Sequence, residues 1–174
     1  FYYALWDGSA WSPDSSPGSP SATNEVDFHT GGTGGTPEWI RVISDGAKLG
    51  DKRSNRIMVL IADTNADLFA CYWDGSSFSC LSAALDAGLA NCTVAQCFDG
   101  AWQGSGSSNK FIVNYLHTAN SNVNYQVYTV GSGWGGENNA FTDAAAGFWI
   151  ESNGDPTSSR IMVSTGTSGD DYSH

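Results

Sequence analysis

The sequence predicts an all-β fold made of repeated four-stranded antiparallel sheets. One observation is compositional: aromatic residues make up 13% of the 174 residues, charged residues only 14%, and glycines number 21. That mixture suits short strands joined by tight turns rather than solvated helices. A second is internal repetition. Ser54-Asn55-Arg56-Ile57-Met58-Val59, Ser108-Asn109-Lys110-Phe111-Ile112-Val113 and Ser158-Ser159-Arg160-Ile161-Met162-Val163 align with starts 54 and 50 residues apart. A third is a turn flanked by aromatic residues after another hydrophobic run. It reads Tyr72-Trp73-Asp74-Gly75-Ser76-Ser77-Phe78, more loosely Val127-Tyr128-Thr129-Val130-Gly131-Ser132-Gly133-Trp134, and again Leu5-Trp6-Asp7-Gly8-Ser9-Ala10-Trp11.

Taken in order, one repeat reads as a strand over 39–44, a second over 56–62, a third over 68–73, an Asp-Gly turn and a short fourth strand over 78–81. Residues 81–89 leave room for one short helix. Asp45-Gly46 and Asp99-Gly100, each nine residues before a Ser-Asn, align the first two repeats. The second strands are almost continuously apolar, as strands covered on both faces are. The strands after Ile57, Phe111 and Ile161 should therefore hold equivalent places in successive sheets, with Val59, Val113 and Val163 buried. Four strands in about 50 residues is the size of a β-propeller blade.

The chain thus reads as a single repeat domain, 1–174, of about three blades in a circularly permuted frame. Residues 1–36 end one blade, 37–90 form the second, 91–145 form the third, and 146–174 start a blade that the N-terminal strands complete. An incomplete sheet leaves a row of unpaired N–H and C=O groups. Residues 2–6 are therefore expected to pair beside 160–165, in the same chain or in a neighbour. The first closure gives a compact monomer or ring, the second a polymer.

The cysteines add a redox argument. A hairpin centred on Gly75-Ser76 sets Cys71 opposite Cys80 and Trp73 opposite Phe78, so a cross-strand Cys71–Cys80 disulfide follows from register. Cys92 and Cys97 then pair across a short bend. Two disulfides imply an oxidising compartment, and so a secreted or cell-surface protein. Asn91-Cys92-Thr93 fits a glycosylation sequon at Asn91 in that setting, and the runs 12–21 and 30–36 have the composition of flexible or O-glycosylated loop.

Charge excludes some partners. Eighteen acids against seven bases give a net charge of −11 and a pI near 4.2, which repels nucleic acid and anionic lipid alike. No stretch approaches the roughly 20 apolar residues of a membrane-inserted helix. The start, Phe1-Tyr2-Tyr3-Ala4-Leu5-Trp6, lacks the basic segment of a signal peptide. Either a signal has been removed or the chain is part of something longer.

The run Ile57-Met58-Val59, followed by Leu68-Phe69-Ala70-Cys71-Tyr72-Trp73-Asp74-Gly75-Ser76-Ser77-Phe78, resembles blades of the fucose-binding propeller lectins of fungi and soil bacteria. The resemblance implies a propeller fold. In that family an Arg on the second strand and a Glu on the third hold the sugar. The matching positions here are Met58 and Ala70, Ile112 and Gln126, and Met162 and Tyr3, so the sugar-binding pair is not matched in any repeat.

Candidate sites are few. Asp63, Asn65 and Asp67 have the alternating oxygen spacing of a calcium loop, although Leu68 stands where its glycine should follow, and an Asx-rich turn uses the same residues. Trp11, Trp102 and Trp134 are candidate stacking platforms for glycans, set against ordinary cross-strand packing. His29, His117 and His174 have no nucleophile motif beside them, and Gly104-Ser105-Gly106 lies in a loop. Glu25, Glu38, Glu137 and Glu151 supply carboxylates as any acidic protein does, so no catalytic residue and no cofactor other than calcium is predicted. The expected function is a non-enzymatic structural or adhesive repeat module of an extracellular appendage, filament or surface assembly, self-associating through edge strands. The alternative is a glycan-binding lectin.

Overall fold

The computed structural model describes residues 1, 3–6, 9, 11–12, 28, 35–46, 55–90, 92–93, 95–104, 109–118, 122–141 and 147–167. Among them all extended regular structure is β and antiparallel, and there is no α-helix. Sheet one runs β3 (Pro37–Ser44), β4 (Ile57–Asp63), β5 (Leu68–Trp73), β6 (Phe78–Cys80). Sheet two runs β7 (Phe98–Trp102), β8 (Lys110–Leu116), β9 (Val123–Thr129), β10 (Gly133–Trp134), with β11 (Asn138–Phe141) also on β9. Sheet three holds β12 (Gly147–Gly154) and β13 (Ile161–Thr167), and a separate pair holds β1 (Leu5–Trp6) and β2 (Trp11–Ser12).

The repeat read from the sequence is thus a repeated sheet order. Strands β4, β8 and β13 are each the second strand, and Ile57, Phe111 and Ile161 lie opposite Ser44, Trp102 and Gly154. Val59 and Val113 are buried, as expected, but Val163 is only half-buried. It packs against the margin of the core on the face that sheet three turns to sheet two, opposite Ser152.

Two expectations need correction. Residues 81–89 form no helix; they are bends tied down by the bridges Leu68↔Asp86 and Leu89↔His117. The Asp-Gly alignment also fails, because the loops between first and second strands differ in length. Twelve residues separate Ser44 from Ile57, eight separate Trp102 from Phe111 and six separate Gly154 from Ile161. Asp99 therefore lies inside β7 opposite Asn114, whereas Asp45 lies beyond the end of β3. The true counterparts of Asp45 are Gln103 and Asp155. All three donate their backbone N–H to the carbonyl of the cationic residue before the second strand, Arg56, Lys110 or Arg160, at 2.9, 3.0 and 2.9 Å.

Alternation along β4 explains its unbroken apolar run. Met58, Leu60 and Ala62 join Leu68 and Ala70 on the face turned to sheet two, where they meet Phe98, Phe111, Val113 and Tyr115. Val59, Ile61, Phe69 and Cys71 form a second core on the opposite face with Phe28 and Phe1. Burying each Leu or Ile contributes about 1.5–3 kcal/mol, so β4 is held from both sides.

Both disulfides are present in the register deduced from the sequence. Cys71 and Cys80 are direct cross-strand partners with Cα atoms 4.0 Å apart, and Cys92–Cys97 closes a bend with Cα atoms 4.9 Å apart. Trp6 faces Trp11 in the first hairpin. Among the described residues the N-terminal strand does not pair with sheet three, however. β1 pairs with β2, and Phe1 and Tyr3 instead set their rings on Phe78, at 5.6 and 5.0 Å, with Tyr3 also 5.9 Å from Trp73. Edge-to-face and tilted aromatic contacts thus hold this segment against sheet one.

Candidate functional site

A polar cleft lies where the ends of β3, β7 and β12 converge. Because the backbone N–H of Asp45 bonds to the carbonyl of Arg56, their side chains meet at the mouth of the same loop. Arg56 Nε lies 3.0 Å from Asp45 Oδ2, and Nη1 donates to Asn109 Oδ1 at 3.2 Å. The guanidinium carbon stands 5.1 Å from the Trp102 ring, and Trp102 Nε1 donates to the Ile43 carbonyl at 3.1 Å. Asp45, Arg56 and Trp102 are all buried. Beside them opens a cleft of about 280 Å³ lined by Ser44, Asp45, Trp102, Ser152, Asn153 and Pro156 among others. The Asp45 charge is already matched by Arg56, so the cleft offers hydroxyl, amide and backbone groups to a guest rather than a free ion. Among the described residues no His or Cys lines it.

A second polar chain ties the three sheets together. Arg41, Asp99 and Glu151 occupy one register position in successive first strands, opposite Leu60, Asn114 and Ser164. Arg41 Nε and Nη2 both lie 3.0 Å from Asp99 Oδ1, while Asp99 Oδ2 accepts the Ser152 N–H at 2.8 Å. Asn114 Nδ2 donates to Ser152 Oγ at 3.0 Å. Asp99 is buried, and both its carboxylate oxygens have partners, the Arg41 cation on one and the Ser152 backbone N–H on the other.

A third cluster joins the 81–90 loop to sheet two. Asp86, buried beside the bridge to Leu68, lies within electrostatic reach of Glu137 and 3.5 Å from His117 Nε2. Burial raises the Asp86 pKa above the ordinary carboxylate value; Glu137 raises it further, while the Gly88 N–H and His117 pull it down. Burial likewise pushes the Tyr115 hydroxyl up, although Gln126 Nε2 reaches it at 3.0 Å. Asn124 Nδ2 donates to Glu137 Oε1 at 2.6 Å. An Asp whose folded pKa is raised favours the folded state below that pKa and loses the contribution as pH rises through it. Glu137→Gln is therefore expected to raise the melting temperature at pH 7, by about 0.5–1 kcal/mol of stability, and to do little at pH 4. Melting curves at the two pH values check this; equal shifts at both would contradict it.

The remaining predicted residues are placed as follows. Asp63 is buried, and its carboxylate accepts backbone N–H groups from Gly35, Asn65 and Asp67 at 2.7, 2.9 and 3.0 Å. With Ala66 at φ 63°, the 63–67 loop has the geometry of an Asx-rich turn wound around an anion. A calcium ion at this carboxylate would face those same donors. No group of three or more His, Cys, Asp or Glu residues able to hold a metal occurs among the described residues. Trp102 is buried, with Phe111 5.1 Å and Tyr72 6.2 Å from its ring; Trp134 is half-buried, 5.3 Å from Tyr128. Trp11 is described only through its backbone, and Asn91, His29, His174, Glu25 and Ser105-Gly106 lie outside the described residues. Sequence reasoning missed the Arg56–Asp45 pair, although the cation recurring before every second strand signalled it. The contact between Asp86 and Glu137, 51 positions apart, carried no local signal. Compared with protein-family models, curated proteins and solved structures, the chain matches none of them.

Proposed function

We propose that this chain is a non-enzymatic extracellular repeat module, propeller-like in its blade order, that assembles with its own kind through shared sheets. The observation that carries this reading is the pair of incomplete sheets. Sheets one and two each have the four-strand path, whereas β12–β13 holds only a first and second strand, and β1–β2 forms a hairpin of the third-and-fourth-strand type. The missing half of each is the other, and among the described residues the two are not joined. An edge of paired length such as β13 is a template for strand addition. The two disulfides support an oxidising, extracellular setting. The buried ionic groups are engaged in joining sheets, which supports scaffold over catalyst.

Amide exchange over a concentration series tests this. The amides of 161–167 should become protected as concentration rises, in step with a growing mass by light scattering. A chain that stays monomeric with unchanging exchange would overturn the proposal. A glycan-binding reading is favoured by the polar cleft and by Trp134 at the margin of sheet two. A glycan array that gives a signal lost in Trp134→Ala would support that reading instead.

A further inference from the structure

We infer that the uncovered face of β12–β13 docks onto the uncovered face of β3 in a second copy of this chain. This rests on the assembly reading above and specifies which surfaces meet. Every sheet has one face turned to the sheet before it and one to the sheet after it. In sheet one the following face carries Met58 and Leu60, buried against sheet two. In sheet two the preceding face carries Phe111, Val113 and Tyr115, and Asn114 on the following face bonds Ser152 of sheet three. Sheet three buries Ile150, Ser152 and Thr165 on its preceding face.

Two faces of this series are left open. On the following face of sheet three, Met162 is 65% and Trp149 36% exposed. Met162 holds the position of Met58, which is 0% exposed, within the same Arg-Ile-Met-Val run. On the preceding face of sheet one, Phe28 and Phe1 cover the second core at β4 and β5, but Ile40 and Val42 on β3 remain 46% and 66% exposed. Val42 lies opposite Val59 and Ile40 opposite Ile61, so the open strip continues an existing core. Four of the six exposed large hydrophobic side chains among the described residues fall on these two faces, where each is what the other lacks.

Finer features agree. Trp39 and Trp149 occupy the same position, each next to a register shift, opposite Ala62 and Gly166. The Trp39 indole N–H bonds the carbonyl of Cys92, in the loop before the next sheet's first strand. At the level of Arg41, Asp99 and Glu151, the boundary between sheets one and two joins a cation to a carboxylate in the Arg41–Asp99 pair. Docking sets the exposed Glu151 beside Arg41 of the second copy, whose side chain is 40% exposed. The contact is heterologous, one face against a different face, so it propagates rather than closing as a two-fold dimer.

The test uses Val42→Asp and Met162→Asp, both at exposed positions, so neither should disturb the fold; unchanged far-UV circular dichroism verifies this. Each variant keeps one good face and loses the other. Each alone should associate about 30-fold or more weaker than the unmodified chain, while an equimolar mixture should form one-to-one pairs and nothing larger, by analytical ultracentrifugation. Association of both variants at the unmodified strength would overturn this docking and leave strand-edge assembly standing. An unmodified chain that is monomeric at all concentrations would overturn both. A mixture that stays monomeric would also overturn the face pairing, because one intact pair of faces is present in it.

Discussion

Replacing Arg56 with methionine is expected to destabilise the fold by about 3–5 kcal/mol, because the substitution leaves Asp45 buried and charged without its partner. Arg56 is 7% and Asp45 5% exposed, and the guanidinium also serves Asn109 and the Trp102 face. Methionine keeps the stem volume and the contact with the ring, so the loss isolates charge and hydrogen bonding from packing. Two comparisons make the result interpretable. Lys110→Met, at the equivalent but exposed position, should change stability by no more than about 0.5 kcal/mol. Arg56→Met combined with Asp45→Asn should recover a large part of the loss, since the stranded charge is gone. Urea unfolding with an unchanged slope is the measurement. A single-variant loss under about 1 kcal/mol, or no recovery in the double variant, would show that the pair is screened by solvent despite its burial.

Much of the architecture was legible because it rests on local rules. Period-two alternation, the Gly75 turn at φ 104° and the apolar run of β4 each follow from nearest neighbours along the chain. The Cys71–Cys80 disulfide was readable for the same reason: the turn fixes the register, and the register sets the two cysteines opposite each other. What could not be read depends on loop length and on how the sheets meet. Asp45 and Asp99 look equivalent along the chain, yet a loop four residues shorter moves Asp99 four places along its strand, where it becomes a strut among three sheets. The acidic spacing at Asp63, Asn65 and Asp67 suits oxygen ligation or an Asx-rich turn equally. The described hydrogen bonds there are three backbone amides donating to the Asp63 carboxylate. The exposure of Met162 against the burial of Met58 is likewise invisible in two identical tetrapeptides, because it depends on whether another sheet follows.

Gly154→Ala should be a damaging single-methyl addition in the convergent cleft. A Cβ at Gly154 would stand 2.2 Å from the carbonyl oxygen of Trp102, a backbone atom that cannot swing aside. The φ of Gly154 is outside the left-handed region, so the demand for glycine here comes from the close approach of two sheets and not from backbone conformation. To admit the methyl group the end of β12 must move off β7, stretching the Ser152 N–H bond to Asp99 and the Asn114 contact with Ser152. Such overpacking costs about 1–3 kcal/mol. In a domain of this size that lowers the melting temperature by about 2–4 °C for each kcal/mol. Gly46→Ala is the matched control. It adds the same methyl group to the lining of the same cleft, where a Cβ would meet nothing within 4 Å, and should leave the melting temperature unchanged. Exchange of the 152–154 amides should accelerate in Gly154→Ala alone. If both variants melt together with the unmodified protein, sheets two and three are not in register contact at this point, and the convergence of the three first strands on one cleft would have to be abandoned.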